Sequence, residues 1–148
     1  DAVTGRLAWA FDPGRPENGG VPPPGETYTP SSPNSWAPIS ADEGLGLVYL
    51  PMGNATTDYY GGDRRPFDDD VSSAVIALDA ETGQLRWRFR TVHHDIWDYD
   101  VPSQPTLIDL PTPDGMRRAL IHAIDREELV ATLMHGLSQV AHTSVSPK

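Results

Sequence analysis

The chain has 148 residues, enough for one domain of ordinary size, and carries 21 acidic against 11 basic side chains, for a formal net charge of −10. This charge argues against a nucleic-acid partner, which would need a basic face. The absence of cysteine excludes disulfide bonds, thiolate catalysis and cysteine-held metals. No apolar run reaches the length of about 18 residues that a membrane-spanning helix needs.

The first predicted element is one of two copies of an internal repeat. Residues 1–11 and 79–89 share the pattern Asp-Ala-x-Thr-Gly-x-Leu-x-Trp-x-Phe, with seven identities in eleven positions. We expect the Asp of each copy to accept backbone N–H groups within a turn, and the Gly to supply the positive φ that closes it. The Leu, Trp and Phe then alternate along the strand that follows. Two copies predict a repeat architecture whose units bury their faces against neighbours.

One full unit lies between the copies. Residues 13–33 and 51–70 are predicted loops, and the acidic run at 68–70 is interpreted as solvated. The predicted strands are residues 36–40, 45–50, 73–78 and 85–90, with 106–109 and 118–121 beginning the next unit. Four strands in up-and-down order are typical of a propeller blade. We therefore predict an all-β chain that is a fragment of a β-propeller: about one complete four-stranded blade plus parts of two neighbours.

Residues 91–102 concentrate three carboxylates, two histidines and two large aromatic side chains directly after the last predicted strand of the blade. A loop held by a rigid sheet is a usual place for chemistry. The alternative is a surface loop whose carboxylates cap turns and pair with arginines. Asp95 and Asp100 suit such turn and supporting roles better than the role of a base. His93 and His94 are adjacent and would point to opposite faces, so we interpret them as structural rather than as ligands of one metal.

Three segments carry a resemblance to a known family: Ser-Pro-Asn-Ser-Trp at 32–36, Val-Tyr-Leu-Pro-Met-Gly-Asn at 48–54, and Thr-Val-His-His-Asp-Ile-Trp-Asp-Tyr-Asp-Val-Pro at 91–102. Together with the repeat, they resemble the quinoprotein dehydrogenases that carry pyrroloquinoline quinone (PQQ) in an eight-bladed propeller, and among these the membrane-bound glucose dehydrogenase type. In that family the repeat docks blades together, which implies that Trp9 and Trp87 wedge between adjacent blades. The resemblance extends from residue 1 to about residue 120.

The resemblance also implies site residues, position by position. Asp98 falls where the family has its catalytic base, a carboxylate that accepts the substrate hydroxyl proton while hydride passes to the quinone. Asn54 falls on an oxygen ligand to the metal, Thr56 is an alternative ligand, and Asp98 could also touch the ion. Oxygen ligands suit Ca²⁺ or Mg²⁺, which would polarise the quinone carbonyl. Trp36 falls where the family stacks an indole against the planar cofactor.

The function implied by the resemblance is that of a PQQ-dependent dehydrogenase. It would oxidise an aldose sugar such as glucose to its lactone and pass electrons to a quinone, on the periplasmic side of the bacterial inner membrane. A quinate or polyol dehydrogenase of the same family is one alternative, and a non-catalytic propeller-repeat interaction module is another. A scaffold would have no reason to keep Trp36, Asn54 and Asp98 together. Because the remaining blades would be absent, we expect little or no turnover from the chain alone.

Residues 121–148 depart from the family pattern. Asp125 with Glu128 three positions on resembles a helix start, and apolar side chains then follow at helical spacing: Leu129, Val130, Leu133, Met134 and Leu137. The family pattern expects a lysine near the quinone in this region, whereas the only lysine is Lys148. We therefore divide the chain into a propeller segment, residues 1–120, and a divergent tail with helical character, residues 121–148.

Overall fold

The computed structural model describes residues 1–16, 20–109 and 117–120, and its central feature is one four-stranded antiparallel sheet. Its strands are hydrogen-bonded in chain order: β1 (Ser40–Asp42), β2 (Leu47–Pro51), β3 (Ala74–Asp79) and β4 (Leu85–Arg90). A second sheet pairs β5 (Thr106–Asp109) with β6 (Arg117–Leu120), and helix α1 (Pro66–Val71) precedes β3. The up-and-down order is that of a propeller blade, which confirms the predicted all-β fragment.

The core is built on β3, which is apolar along almost its whole length and buried on both faces. Ile76 and Leu78 pack with Met52 and Val71 in one cluster. Burying an aliphatic side chain of this size contributes about 1.5–3 kcal/mol. Because successive residues of a strand point to opposite faces, a continuous apolar run is what a central strand covered on both sides requires.

The two copies of the repeat form the same turn, as predicted. The Asp1 and Asp79 carboxylates each accept the backbone N–H groups two and three positions further on, at 2.8–3.0 Å. Gly5 and Gly83 close these turns at φ of +68° and +71°, in the left-handed region where glycine carries no steric penalty. The hydrogen bonds from Thr82, opposed by slight burial, hold the pKa of the Asp79 carboxyl below its ordinary value.

Trp9 docks the first copy of the repeat onto the second. Its Nε1 donates to the Ala80 carbonyl at 2.9 Å, and its ring lies so close to Gly83 that a Cβ there would come within 2.5 Å of a ring atom. Trp9 therefore contacts the described blade, and the predicted wedge between two blades stays a prediction. Trp87, at the corresponding position of the second copy, packs against the Tyr49 ring at 5.9 Å between centroids and remains 36% exposed.

Several predicted boundaries are corrected. The expected strand over residues 7–11 is not formed, because no strand of the described residues lies beside it to complete a ladder. The strand expected at 36–40 begins only at Ser40, since proline at position 38 has no N–H to give to a ladder. The strands expected at 45–50, 73–78 and 118–121 are each displaced by one or two residues, the usual uncertainty of element ends.

The predicted loop at 51–70 contains helix α1, and the acidic run at 68–70 is not simply solvated. Asp68 is fully buried, because its carboxylate accepts the Arg65 backbone N–H and pairs with the Arg65 guanidinium at 2.8 and 2.9 Å. Pro66 begins the helix, where its missing N–H costs nothing.

The tail predicted at 121–148, with its predicted divergence and helix, lies outside the described residues. In the part of the chain that is described, no helix combines the length and the apolar character needed to cross a membrane.

Candidate active site

The loops that carry the predicted site residues all leave the same end of the sheet. Residues 33–39 lead into β1, residues 52–58 follow β2, and residues 91–102 follow β4. In the antiparallel register Ser40 pairs with Tyr49, Pro51 with Val75, and Ala74 with Arg90. The start of β1, the end of β2 and the end of β4 therefore coincide, and Trp36, Asn54 and Asp98 lie on loops at one edge.

Asp100 joins two of these loops to the third. Its Oδ2 accepts the Trp36 indole Nε1–H at 2.8 Å, and its Oδ1 accepts the Asn54 backbone N–H at 2.5 Å. A supporting role was predicted for Asp100 from the sequence, but its partners Trp36 and Asn54 were not. The structure thus brings Trp36 and Asn54 together through the carboxylate that stands two residues after Asp98.

Asp95 shapes the backbone around Asp98. It is 1% exposed and accepts hydrogen bonds from the Ser73 hydroxyl and from the backbone N–H groups of Trp97 and Tyr99, the latter two at 2.9 and 2.8 Å. Within this tight turn Asp98 adopts a φ of +62°. Aspartate is among the few side chains that enter the left-handed region readily, so the turn can present a carboxylate there.

Asp98 stands in a field of negative charge. Partial loss of hydration and the carboxylates of Asp100, Asp58 and Asp95 raise the pKa of the Asp98 carboxyl above its ordinary value, and a hydrogen bond from Tyr59 opposes the shift. Asp98 itself remains exposed, so water screens these charges in part. A higher proton affinity suits a general base, and the same negative field attracts a cation.

The predicted metal ligands fit a cation unequally. Asn54 is 6% exposed, and its Oδ1 already accepts the Ala55 N–H and the Ser72 hydroxyl, both at 2.9 Å. Thr56 lies exposed on the same loop. Among the described residues no group of three or more acidic or histidine side chains has the arrangement to hold a metal ion. Asp98 can offer a carboxylate oxygen as it stands, whereas Asn54 must first exchange its hydrogen bonds.

Trp36 fits a planar ligand well. Its indole is 60% exposed although its Nε1 is anchored on Asp100. The result is a bare aromatic face with a fixed edge, which is what stacking against a tricyclic quinone requires.

Arg64 holds two of the site loops together, which the sequence did not predict. Its guanidinium donates to the backbone carbonyls of Ala55 at 2.5 Å, Thr57 at 3.1 Å and Asp95 at 2.7 Å. One cation therefore ties the 52–58 loop to the 91–102 loop. No local sequence pattern predicts that an arginine will donate to backbone carbonyls as far away as Asp95, 31 positions along the chain.

A cavity of about 380 Å³ lies away from this end of the sheet. It is bounded by the N-terminal segment, α1 and β4, and residues that line it include Ala10, Phe11, Phe67, Val71, Leu85 and Arg88. Trp36, Asn54 and Asp98 do not line it. At the sheet end, Trp36 and Asp98 are exposed, whereas Asn54 is buried.

The fold and the site define a class, a Trp-docked β-propeller with an acidic loop at one end of a blade. Residues 1–128 match the PQQ family described as glucose/ethanol/alcohol dehydrogenase, β-propeller domain. The chain belongs to this family of quinoprotein dehydrogenases, which are oxidoreductases.

Relatives with different substrates in their names are almost equally similar. The chain is 50% identical over 123 residues to quinoprotein glucose dehydrogenase of Escherichia coli (strain K12), covering 83% of this chain and 15% of that protein. It is 50% identical over 115 residues to the glycerol dehydrogenase large subunit of Gluconobacter oxydans (strain 621H), covering 78% and 16%. It is 46% identical over 121 residues to quinate/shikimate dehydrogenase (quinone) of Acinetobacter baylyi, covering 82% and 15%.

A solved structure agrees with the fold. The quinohemoprotein alcohol dehydrogenase ADHIIG of Pseudomonas putida HK5 matches 80% of this chain and 19% of its own, with 26% identity and a TM-score of 0.54. The chain is short compared with the curated relatives named above, and it spans only about 15–16% of their length.

Proposed function

We propose that the chain is the part of a PQQ-dependent dehydrogenase that holds the catalytic base and one wall of the cofactor site. The whole protein would oxidise an aldose sugar such as glucose to its lactone. The observation that carries the proposal is the grouping of Trp36, Asn54 and the Asp98 loop around the Asp100 carboxylate, in a chain 50% identical to a quinoprotein glucose dehydrogenase.

Each residue has a distinct role in this proposal. PQQ, when bound, supplies an electrophilic quinone that accepts hydride. Asp98 accepts the proton of the substrate hydroxyl, and the partial loss of hydration and surrounding negative charge that raise the pKa of its carboxyl favour that transfer. Trp36 forms one wall of the cofactor site with its exposed ring, and the tight turn around Asp95 holds Asp98 at the same end of the sheet.

We also propose Asn54, Thr56 and Asp98 as oxygen ligands of a Ca²⁺ or Mg²⁺ ion. Neutral and anionic oxygens suit such hard cations. Binding would require the Asn54 side chain to release Ser72 and Ala55, and further ligands would come from other parts of the whole protein. Chelation should therefore abolish activity, and Ca²⁺ or Mg²⁺ should restore it.

A polyol or quinate substrate is the second candidate. It is favoured by the equal identity to a glycerol dehydrogenase large subunit and the slightly lower identity to a quinate/shikimate dehydrogenase. The chemistry at Asp98 is the same for each substrate, because each presents a secondary or primary hydroxyl to a base. The substrate is therefore chosen by residues other than those proposed here.

The partners follow from the same likeness. We propose a quinone as the electron acceptor, which the name of the quinate/shikimate relative includes, and the periplasmic side of the bacterial inner membrane as the location. The remaining blades of an eight-bladed propeller would complete the site. A nucleic-acid partner is not proposed, since the net charge is −10.

The test uses the full-length protein that contains this chain, loaded with PQQ and Ca²⁺ or Mg²⁺. Glucose, glycerol and quinate are supplied in turn with an artificial electron acceptor. Asp98→Asn should keep PQQ affinity and lower turnover by about 10²–10⁴-fold, because an amide cannot accept the proton. Trp36→Ala should instead weaken PQQ binding, measured by equilibrium dialysis. Near-normal turnover of Asp98→Asn at saturating PQQ and metal would refute the assignment of the base.

A further inference from the structure

Asp100 makes contacts that an ordinary turn residue does not need. The Trp36 partner lies 64 positions away and the Asn54 partner 46 positions away. Both carboxylate oxygens are used, one by each partner, so the side chain links the segment before β1 to the segment after β2. A cap would instead bond to backbone groups two to four residues along the chain, as Asp95 does.

The bond to Trp36 matters because little else holds that ring. The indole is 60% exposed, and an exposed aromatic side chain samples several rotamers unless something fixes it. The Asp100 carboxylate accepts the indole N–H at 2.8 Å, and hydrogen bonds to a charged acceptor are stronger than those between neutral groups. The second bond, to the Asn54 backbone, fixes the carboxylate itself relative to β2.

We propose that Asp100 is a positioning residue for the cofactor. Its carboxylate holds the Trp36 indole in the plane in which PQQ stacks, in register with the Asn54 loop, so that binding does not have to order the ring. The inference rests on the proposed role of Trp36. Asp100 acts through Trp36 and does not itself take part in proton transfer.

A double-mutant cycle in the full-length protein tests the proposal. Trp36→Phe keeps an aromatic ring and removes the donor, and Asp100→Ala removes the acceptor. If the two residues act through their hydrogen bond, Asp100→Ala should weaken PQQ binding about tenfold with Trp36 present, but less than about twofold in the Trp36→Phe background. PQQ affinity is measured by equilibrium dialysis of the metal-loaded protein, without reference to turnover.

A second readout separates positioning from catalysis. At saturating PQQ, Asp100→Ala should recover turnover to within about threefold of the parent, because Asp98 remains in place and partial loss of hydration, the largest cause of the raised pKa of its carboxyl, does not depend on the Asp100 charge. Asp63→Ala serves as the control, since Asp63 is exposed and makes no hydrogen bond or ion pair with the described residues. It removes one negative charge from the neighbouring loop and should leave PQQ affinity unchanged.

The outcomes are distinguishable. Equal effects of Asp100→Ala in the two backgrounds would overturn the inference, as would a loss that excess metal alone restores, which would make Asp100 a metal ligand. Should Asp100→Ala not fold, Asp100→Asn replaces it: the amide has one acceptor oxygen for two N–H donors, and a coupling of about threefold is expected.

If Trp36→Ala leaves PQQ affinity unchanged, the proposed role of Trp36 fails and this inference fails with it. If Trp36→Ala weakens PQQ binding but the double-mutant cycle shows no coupling between Trp36 and Asp100, only this inference is refuted.

Discussion

Asp98 combines two features that oppose stability. Its φ of +62° lies in a region that costs a non-glycine residue about 1 kcal/mol, and its carboxylate faces Asp100, Asp58 and Asp95. Local strain and like charge in one residue are typical of a site shaped for function rather than for folding. The sheet end around it, fixed by the buried Asp95, holds this arrangement in place.

The charge of Asp98 yields a prediction about the metal-free protein. Because the pKa of its carboxyl is raised in the folded state, the folded state holds the proton more tightly than the unfolded state does. The ionised Asp98 carboxylate therefore destabilises the folded state. This destabilisation is absent at a pH below the pKa of the unfolded state, grows as the pH rises through the raised pKa of the folded state, and is complete above it. We expect Asp98→Asn, measured in excess chelator, to unfold at a higher temperature than the parent at neutral pH, with a difference that narrows as the pH is lowered.

Thermal unfolding of both proteins at stepwise pH measures this difference. Asp63→Asn, which removes an exposed charge without partners among the described residues, controls for net charge. An Asp98→Asn protein that is less stable than the parent at neutral pH would show that the carboxylate makes a stabilising contact instead.

The roles proposed for Asp98, Asn54 and Trp36 rest on the family resemblance, and the structure adds that their loops lie at one end of the sheet. The bond of Asp100 to Trp36 could not be predicted from the sequence, because it joins segments 64 positions apart and depends on strand register, which no local pattern states. The same holds for the three carbonyl partners of Arg64.

Helix α1 depends on one ion pair whose carboxylate is buried. Asp68 is fully buried and pairs with Arg65, whose guanidinium also donates to the carbonyls of Pro30 at 3.0 Å and Ser31 at 3.1 Å. Asp70, two residues on in the same helix, pairs with Arg88 where both side chains are more than 40% exposed. The helix therefore offers a pair with a buried carboxylate and a surface pair for comparison.

We expect Asp68→Ala to destabilise the protein by about 2–4 kcal/mol, because it leaves the Arg65 guanidinium without its carboxylate and the helix without its N-terminal acceptor. Asp70→Ala should cost less than about 1 kcal/mol, the usual worth of an exposed ion pair. Thermal unfolding gives the difference between the variants, and hydrogen exchange of residues 65–72 and 30–31 locates it. Equal costs would show that burial does not distinguish the two pairs.

The strands were easier to predict than the helix. The β3 and β4 segments carry long apolar or alternating patterns flanking an Asp-x-x-Thr-Gly turn, and their pairing was confirmed. Helix α1 has six residues, too few for a periodic pattern to appear. Its Pro-x-Asp start could have signalled a capped helix, but the three consecutive aspartates suggested solvation, and only the partner Arg65 explains why the first of them is buried.

The two copies of the repeat show how neighbouring units contact each other. Trp9 on the first copy seats against the Asp79–Gly83 turn of the second, and Trp9 and Phe11 cover one side of the Ile76–Leu78 cluster. In a propeller each unit is stabilised largely by such contacts with its neighbours. The second copy has the same Trp, and by the same geometry Trp87 would seat against a following turn.

The chain by itself exposes apolar side chains on β4 and on its N-terminal segment. Phe89 is 56% exposed, Leu7 is 65% exposed and Trp87 is 36% exposed, and β4 is an edge strand with one side of its backbone unpaired within the described residues. Exposed apolar side chains beside an open edge favour association. We expect the isolated chain to self-associate and to unfold over a broad temperature range.

Light scattering after size-exclusion chromatography and a thermal scan test this expectation. Phe89→Ser, which removes apolar surface from β4, should reduce self-association. Tyr60→Ser removes a side chain of similar exposure, 60%, from the loop between β2 and α1, and should leave self-association unchanged, because that loop is not a sheet face. A monodisperse monomer with a sharp cooperative transition would contradict this expectation. It would show that one blade with its docked N-terminal segment buries enough apolar surface to fold independently, although repeat units usually depend on their neighbours for stability.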